Sequence, residues 1–251
     1  MFLDLLPWAL FLLFVGGMLA LDLGVFHRDA HEVNRREALT WSVVWIGLAI
    51  AFNIGVYVFR GTDAGIEWTT GYLVEKTLSV DNVFVILLIF AAFHVPGAYQ
   101  HRVLFWGIVG ALVLRALLIA VAGFLLTTLH FVIYIFGAFL IFTGIKFLRE
   151  EEHDPDLEKN RVVRLARRLF RTTEGYEGQK FFVRREGILF ATPLFIVLLL
   201  IESTDLVFAV DSIPAIYAIT DDPFIVFTSN IFAILGLRSL YFVLSGYLNG
   251  L

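Results

Sequence analysis

Two segments of the chain share one pattern of chemistry-bearing side chains: Ser79-Val80-Asp81-Asn82-Val83-Phe84 and Ser203-Thr204-Asp205-Leu206-Val207-Phe208. Each sets a carboxylate beside hydroxyl or amide oxygens within an apolar run. Glu75, Glu202 and Asp211 stand close by in sequence, Asp22 lies near the amino terminus, and Ser79, Asn82, Ser203 and Ser212 add neutral oxygens. Carboxylate, amide and hydroxyl oxygens are the donors that hard cations such as Mg, Ca or Mn prefer. With no cysteine in the chain, thiolate metal sites are excluded. All six histidines fall in loops or near the ends of apolar segments, and the pair His27 and His31 lacks a third ligand.

An ionised side chain at the centre of a bilayer costs roughly 2.5–3.5 kcal/mol on insertion scales, so these acids call for a reason to be there. Arg115 and Arg238 offset part of their charge. Six carboxylates against these two arginines leave a formal charge of −4, to be removed by protonation or by a bound divalent ion. The simpler reading is that the arginines pair with aspartates only to stabilise a helix bundle. Asp22 is either a ligand at one mouth or an interfacial charge, and Lys76 and Lys146 are expected to snorkel.

The elements that must position these groups are membrane helices. The chain is 59% hydrophobic, with a mean hydropathy of +0.83, well above soluble domains. Seven segments reach the length of a bilayer span: Leu5–Asp22, Leu39–Phe59, Thr70–Phe93, Val103–Thr127, Leu129–Leu148, Gly187–Thr220 and Pro223–Leu248. The first is read as a retained span rather than a cleaved signal, because no basic region precedes it. The sixth is too long for one straight span and contains Pro214, so a break is expected near Asp211–Pro214. Tryptophans near span ends are expected to anchor in the membrane interface.

With the amino terminus outside, the inner loops hold fourteen Lys and Arg residues and the outer loops only Arg60. Most of the inner charge lies in Glu150–Glu186. An acidic run there precedes a basic amphipathic stretch, with Val162, Leu165, Leu169 and Phe170 on one face and arginines around the rest. Such a stretch either lies on the inner membrane surface or is a solvated linker; its charge needs no nucleic acid to explain it.

The shared pattern recurs in register with Leu114-Arg115-Ala116-Leu117 and Leu237-Arg238-Ser239-Leu240 in the following spans. Three helices per unit would invert the second copy and bring Asp81 and Asp205 to one depth, the layout of many secondary transporters. The organisation expected is an all-α polytopic membrane protein: residues 1–69 as two spans, 70–149 as the first repeat, 150–186 as the basic loop, and 187–251 as two of the second repeat's three helices. A further helix is therefore expected beyond residue 251.

The segments Gly71-Tyr72-Leu73-Val74-Glu75-Lys76-Thr77-Leu78-Ser79-Val80-Asp81-Asn82-Val83-Phe84 and Glu202-Ser203-Thr204-Asp205-Leu206-Val207-Phe208-Ala209-Val210-Asp211-Ser212-Ile213-Pro214-Ala215 resemble the signature regions of the TerC/Alx family. The resemblance implies a bacterial inner-membrane protein related to LysE-type transporters, named for tellurium resistance and associated with manganese export. It places Glu75, Asp81, Asn82, Glu202, Asp205 and Asp211 where the family's motif residues stand. The expectation is Mn(II) efflux with Asp81 and Asp205 as central ligands, and carboxylates that exchange protons for metal would couple it to protons. A competing expectation is a membrane scaffold that recruits partners through Glu150–Glu186, its intramembrane acids being structural. An enzyme is not expected, because neither Gly-x-Gly-Asp nor His-Glu-x-x-His occurs within a span.

Overall fold

The computed structural model describes residues 2–21, 35–129, 131–149 and 160–248. In chain order the elements are α1 (Phe2–Leu21), α2 (Arg35–Arg60), α3 (Thr62–Ala92), α4 (Gly97–Thr128), α5 (Val132–Arg149), α6 (Arg161–Leu169), β1 (Phe182–Arg185), β2 (Ile188–Ala191), α7 (Pro193–Tyr217), α8 (Pro223–Leu235) and α9 (Leu237–Leu248). Asp22, His27 and His31 lie outside the described residues.

Among the described residues, four helical stretches are long and apolar enough to cross a membrane: Arg36–Arg60, Gly97–Thr128, Pro193–Tyr217 and Pro223–Gly246. Leu5–Ala20 and Val132–Ile145 are shorter apolar helices. The third expected span begins at Thr62 rather than Thr70, and its helix carries Glu67, Glu75, Lys76 and Asp81 along its length. The chain is thus a helical, multi-pass membrane protein.

The all-α expectation needs one correction. Residues 182–191 form an antiparallel hairpin in which Phe182 faces Ala191 and Arg185 faces Ile188. Its two-residue turn, Glu186-Gly187, has positive φ at both positions, the backbone that a tight hairpin requires. This hairpin also corrects the expected break at Asp211–Pro214. The excess length of the sixth segment is taken up by β2, and α7 runs unbroken to Tyr217. Pro214 lies in the last turn, so the i→i−4 bond it removes is lost near the carboxyl end of α7 and the helix continues to Tyr217. The interruption falls instead at Gly236, which divides the seventh segment into α8 and α9.

Two contacts show that α3 and α7 run in opposite directions. At one end, Thr220, just past α7, donates from Oγ1 to Glu67 Oε2 near the start of α3 (2.6 Å). At the other, the loop that leads into α7 caps the α3–α4 turn: Tyr176 Oη donates to the Phe93 carbonyl and Gln179 Nε2 to that of Ala98.

The buried apolar residues fall into two clusters. One gathers Phe11, Trp45, Trp68, Ile213 and Phe232 from α1, α2, α3, α7 and α8. The other gathers Val83, Leu104, Val163, Leu194 and Tyr241 from α3, α4, α6, α7 and α9. Phenylalanine is frequent because α1, α2 and α8 interlock through rings, with Phe11, Phe52, Phe224 and Phe232 at centroid separations of 5.0–6.3 Å. Trp68, expected in the interfacial belt, is buried here, and its indole Nε1 donates to Thr228 Oγ1.

Candidate functional site: a buried carboxylate–arginine network

Along α3 and α7 the two apolar clusters change over between Trp68 and Val83 and between Ile201 and Ala209. Glu75, Ser79, Asn82, Glu202 and Asp205 lie in those intervals. On α3, Glu75, Ser79 and Asn82 follow helical spacing and share the buried stripe. Opposite them α4 brings Arg115, whose side chain is 1% exposed. A guanidinium so deeply buried needs acceptors for its donors.

It finds them on three helices. Arg115 grips Asp205 with two bonds, Nη2 to Oδ1 at 2.9 Å and Nε to Oδ2 at 3.3 Å. Its Nη1 donates to Glu75 Oε1 and to Asn230 Oδ1. Asn230 Nδ2 returns a bond to Glu75 Oε2 (3.1 Å), and Asn82 Nδ2 donates to Asp205 Oδ1 (3.2 Å). Five side chains from α3, α4, α7 and α8 close one network. Bidentate pairing in a low-dielectric setting makes these charge-assisted bonds strong.

Two buried acceptor oxygens beside the network have no partner among the described residues, Asn82 Oδ1 and Glu202 Oε2. Glu202 precedes Asp205 on α7 and packs against Gly110 of α4, where a Cβ would collide with its carboxylate. Gly107 and Ala111 extend this small-residue strip and let α4 and α7 approach closely. Asn82, Thr204 and Asp205 join them around a cavity of about 30 Å³, roughly the room of one water.

Other expected site residues lie elsewhere. Asp81 is exposed on α3: with Asn82 turned inward, its neighbour is rotated about 100° from the buried stripe. Asp81, expected to share a ligand with Asp205, thus lies off the buried stripe through which Asn82 reaches that aspartate. Asp211 is half-buried on α7, beyond the partners of Arg115. Arg238, expected to balance mid-membrane charge, is buried on α9 with Nη1 3.2 Å from His101 Nε2. Ser79 and Ser203 donate to carbonyls of their own helices, and Ser212 Oγ is buried with no partner among the described residues. No group of three His, Asp or Glu side chains suited to a metal ion occurs among the described residues.

Lys76 does not snorkel. Its Nζ donates to the Ala233 carbonyl (3.3 Å) beside Gly236, where helical regularity is interrupted. A methyl group at Gly236 would lie 2.7 Å from that nitrogen. Asn230 and Gly110 were not singled out from sequence. The signal for Asn230 was available: Ser229-Asn230 is a polar pair inside an otherwise apolar run, and buried amides need partners.

A multi-pass helical membrane protein with an arginine held between carboxylates inside its apolar core is the class these features define. The chain belongs to the TerC family of integral membrane proteins, which it matches over residues 60–251. It is 54% identical over 239 residues to an uncharacterized membrane protein of Myxococcus xanthus, covering 95% of this chain and 75% of that one. It is 46% identical over 250 residues to an Escherichia coli K12 protein provisionally named membrane-bound redox modulator Alx, covering 96% and 78% of the two chains. A Rickettsia bellii membrane protein is 42% identical over 240 residues, covering 96% and 80%. No solved structure matches the chain.

Proposed function

We propose that this protein moves a hard divalent cation, most specifically Mn(II), outward across the inner membrane, with Glu75, Asn82, Glu202 and Asp205 supplying the oxygens. The observation that carries this reading is the pair of unpartnered buried acceptors, Asn82 Oδ1 and Glu202 Oε2, beside an Asp205 already held by Arg115. Glu75 and Asp205 bind the Arg115 guanidinium and Glu202 lies three residues before Asp205 on α7, so three carboxylates stand against one resident cation. If all are ionised, their excess equals the charge of one divalent ion. In this reading Arg115 is the resident cation that stabilises the acids between transport events.

The reading includes seven spans with the amino terminus outside, and two inverted repeats led by α3 and α7. The opposite directions of those helices support it, as does the one-sided distribution of basic residues. Asp81 and Asp211 then serve as acids on the approaches, and protonation of the carboxylates would couple proton entry to metal exit.

The test is Mn(II) flux into proteoliposomes containing the full chain, with Asp205→Asn and Glu202→Gln compared at equal folded protein. Loss of flux in both variants is expected; wild-type flux in both would sink the reading. A pH gradient that leaves the flux unchanged would remove proton coupling alone.

The name of the E. coli relative points to redox modulation. This chain has no cysteine, so thiol–disulfide exchange is not among the chemistries its residues supply. Exposed leucines on α6 favour a second reading, a scaffold working through residues 150–186. That reading requires the carboxylate variants to keep function and deletion of the loop to abolish it.

A further inference from the structure

The sequence pattern placed Leu165 and Leu169 on a common apolar face of a basic helix. In the structure a different pair, Val163 and Ala166, is buried, in the same cluster as Leu194 and Val197 at the start of α7. At about 100° per residue, Leu165 and Leu169 lie roughly 110° from that buried pair, on a flank of their own. They are 56% and 68% exposed. Arg161 and Arg168 border this flank, and Arg164 and Arg167 continue the exposed charge around the helix. The helix therefore has three faces: one against the bundle, one apolar and open, and one cationic.

The hairpin extends the open apolar surface. Phe182, Ile188 and Leu189 are exposed. Phe170, Phe182 and Phe195 pack edge-on or tilted at centroid separations of 4.4–6.3 Å, and Thr172 pairs with Ala191, so α6, hairpin and α7 are tied together. The position of this unit is set by its neighbours. It lies beside the first turns of α7 and against the turn that ends α3 and begins α4, the depth at which apolar spans meet water. Exposed leucines at that depth, bordered by arginines, match the two zones of a lipid leaflet. Within residues 160–191 eight basic residues face three acidic ones, which selects negative headgroups.

We propose that α6 and the β1–β2 hairpin form a ledge that docks on anionic phospholipid headgroups, with Leu165 and Leu169 entering the boundary with the acyl chains. Because α6 packs on the helix that carries Glu202 and Asp205, leaflet charge then bears on the position of α7. The ledge is independent of which ion the network carries.

The absence of native cysteine makes the test clean. Full-length Leu169→Cys protein, labelled with a fluorophore, is placed in phosphatidylcholine nanodiscs with or without phosphatidylglycerol. With phosphatidylglycerol the label is expected to be quenched by brominated acyl chains and shielded from aqueous iodide, and a label at Glu174→Cys to behave in the opposite way. Quenching is expected to fall in pure phosphatidylcholine, at high salt, and in the Arg161→Gln/Arg168→Gln variant. High salt tests the charge requirement on the unaltered arginines should that variant fail to fold. A Leu169 label open to iodide in both discs overturns the proposal. So does quenching indifferent to lipid charge and salt, the result expected if the acidic run Glu150-Glu151-Glu152 occupied the arginines instead.

Discussion

The segments around Asp81 and Asp205 are written alike and live differently. Each has a serine two residues before the aspartate and Val-Phe shortly after it, within a long helix. Asp205 receives Arg115 in a two-bond grip and Asn82 as a further donor. Asp81, one residue before that same asparagine, stands exposed. The helices across from them differ too: α4, bearing Arg115, is continuous, whereas the stretch bearing Arg238 is interrupted at Gly236. What decides the fate of an intramembrane acid is thus not its local sequence but which side of its helix faces a donor.

The largest test of that contrast is Arg115→Met, which leaves Glu75 and Asp205 buried without their cation. A loss of about 3–5 kcal/mol is expected from denaturant unfolding in bicelles, as for other buried pairs broken from one side. Arg238→Met should cost clearly less, and equal losses would break the comparison. Next, Asp205→Asn should cost about 1.5–3 kcal/mol, the range for hydrogen bonds to charged groups, while Asp81→Asn stays within about 1 kcal/mol of wild type. A D81N loss as large as that of D205N would mean that Asp81 has a partner of equal weight.

Gly110→Ala should destabilise by about 1–3 kcal/mol, because the new methyl group displaces the Glu202 carboxylate. Gly137 has nothing within 4 Å of its added Cβ, so Gly137→Ala in the same assay should fall within about 0.5 kcal/mol of wild type. The smallest effect is expected for Lys76→Met. It removes one donor to the Ala233 carbonyl, worth about 1 kcal/mol, and should speed amide exchange around Gly236 more than elsewhere.

Much of the network was legible in the sequence. Charge inside an apolar run is costly wherever it occurs, so Glu75, Asn82, Asp205 and Arg115 stood out before any coordinates. Rotation about the helix axis was not legible. Three of the helices that carry the network, α3, α4 and α7, have no distinct polar face, so no periodicity says which residues turn inward. Asp81 was placed at the centre by its position in the span, the repeat and the family motif, none of which reports its facing, and Gly110 drew no notice because its role is the space it leaves. The β hairpin was hidden for a related reason. Ile188-Leu189-Phe190-Ala191 reads as the start of a membrane span, and only the tight turn at Glu186-Gly187 marks it as a strand.

The interruption at Gly236 has an electrostatic consequence. A continuous helix presents its macrodipole only at its two ends, near the water. At Gly236 the regular bonding pattern lapses for one residue, and the carbonyl of Ala233 in the last turn of α8 accepts from a side chain within the protein. The Lys76 ammonium lies at the negative end of α8, the sign that such a terminus favours. One residue without a side chain thus leaves room for a half-buried ammonium to be answered by backbone carbonyl dipoles, a role that another carboxylate would otherwise have to fill.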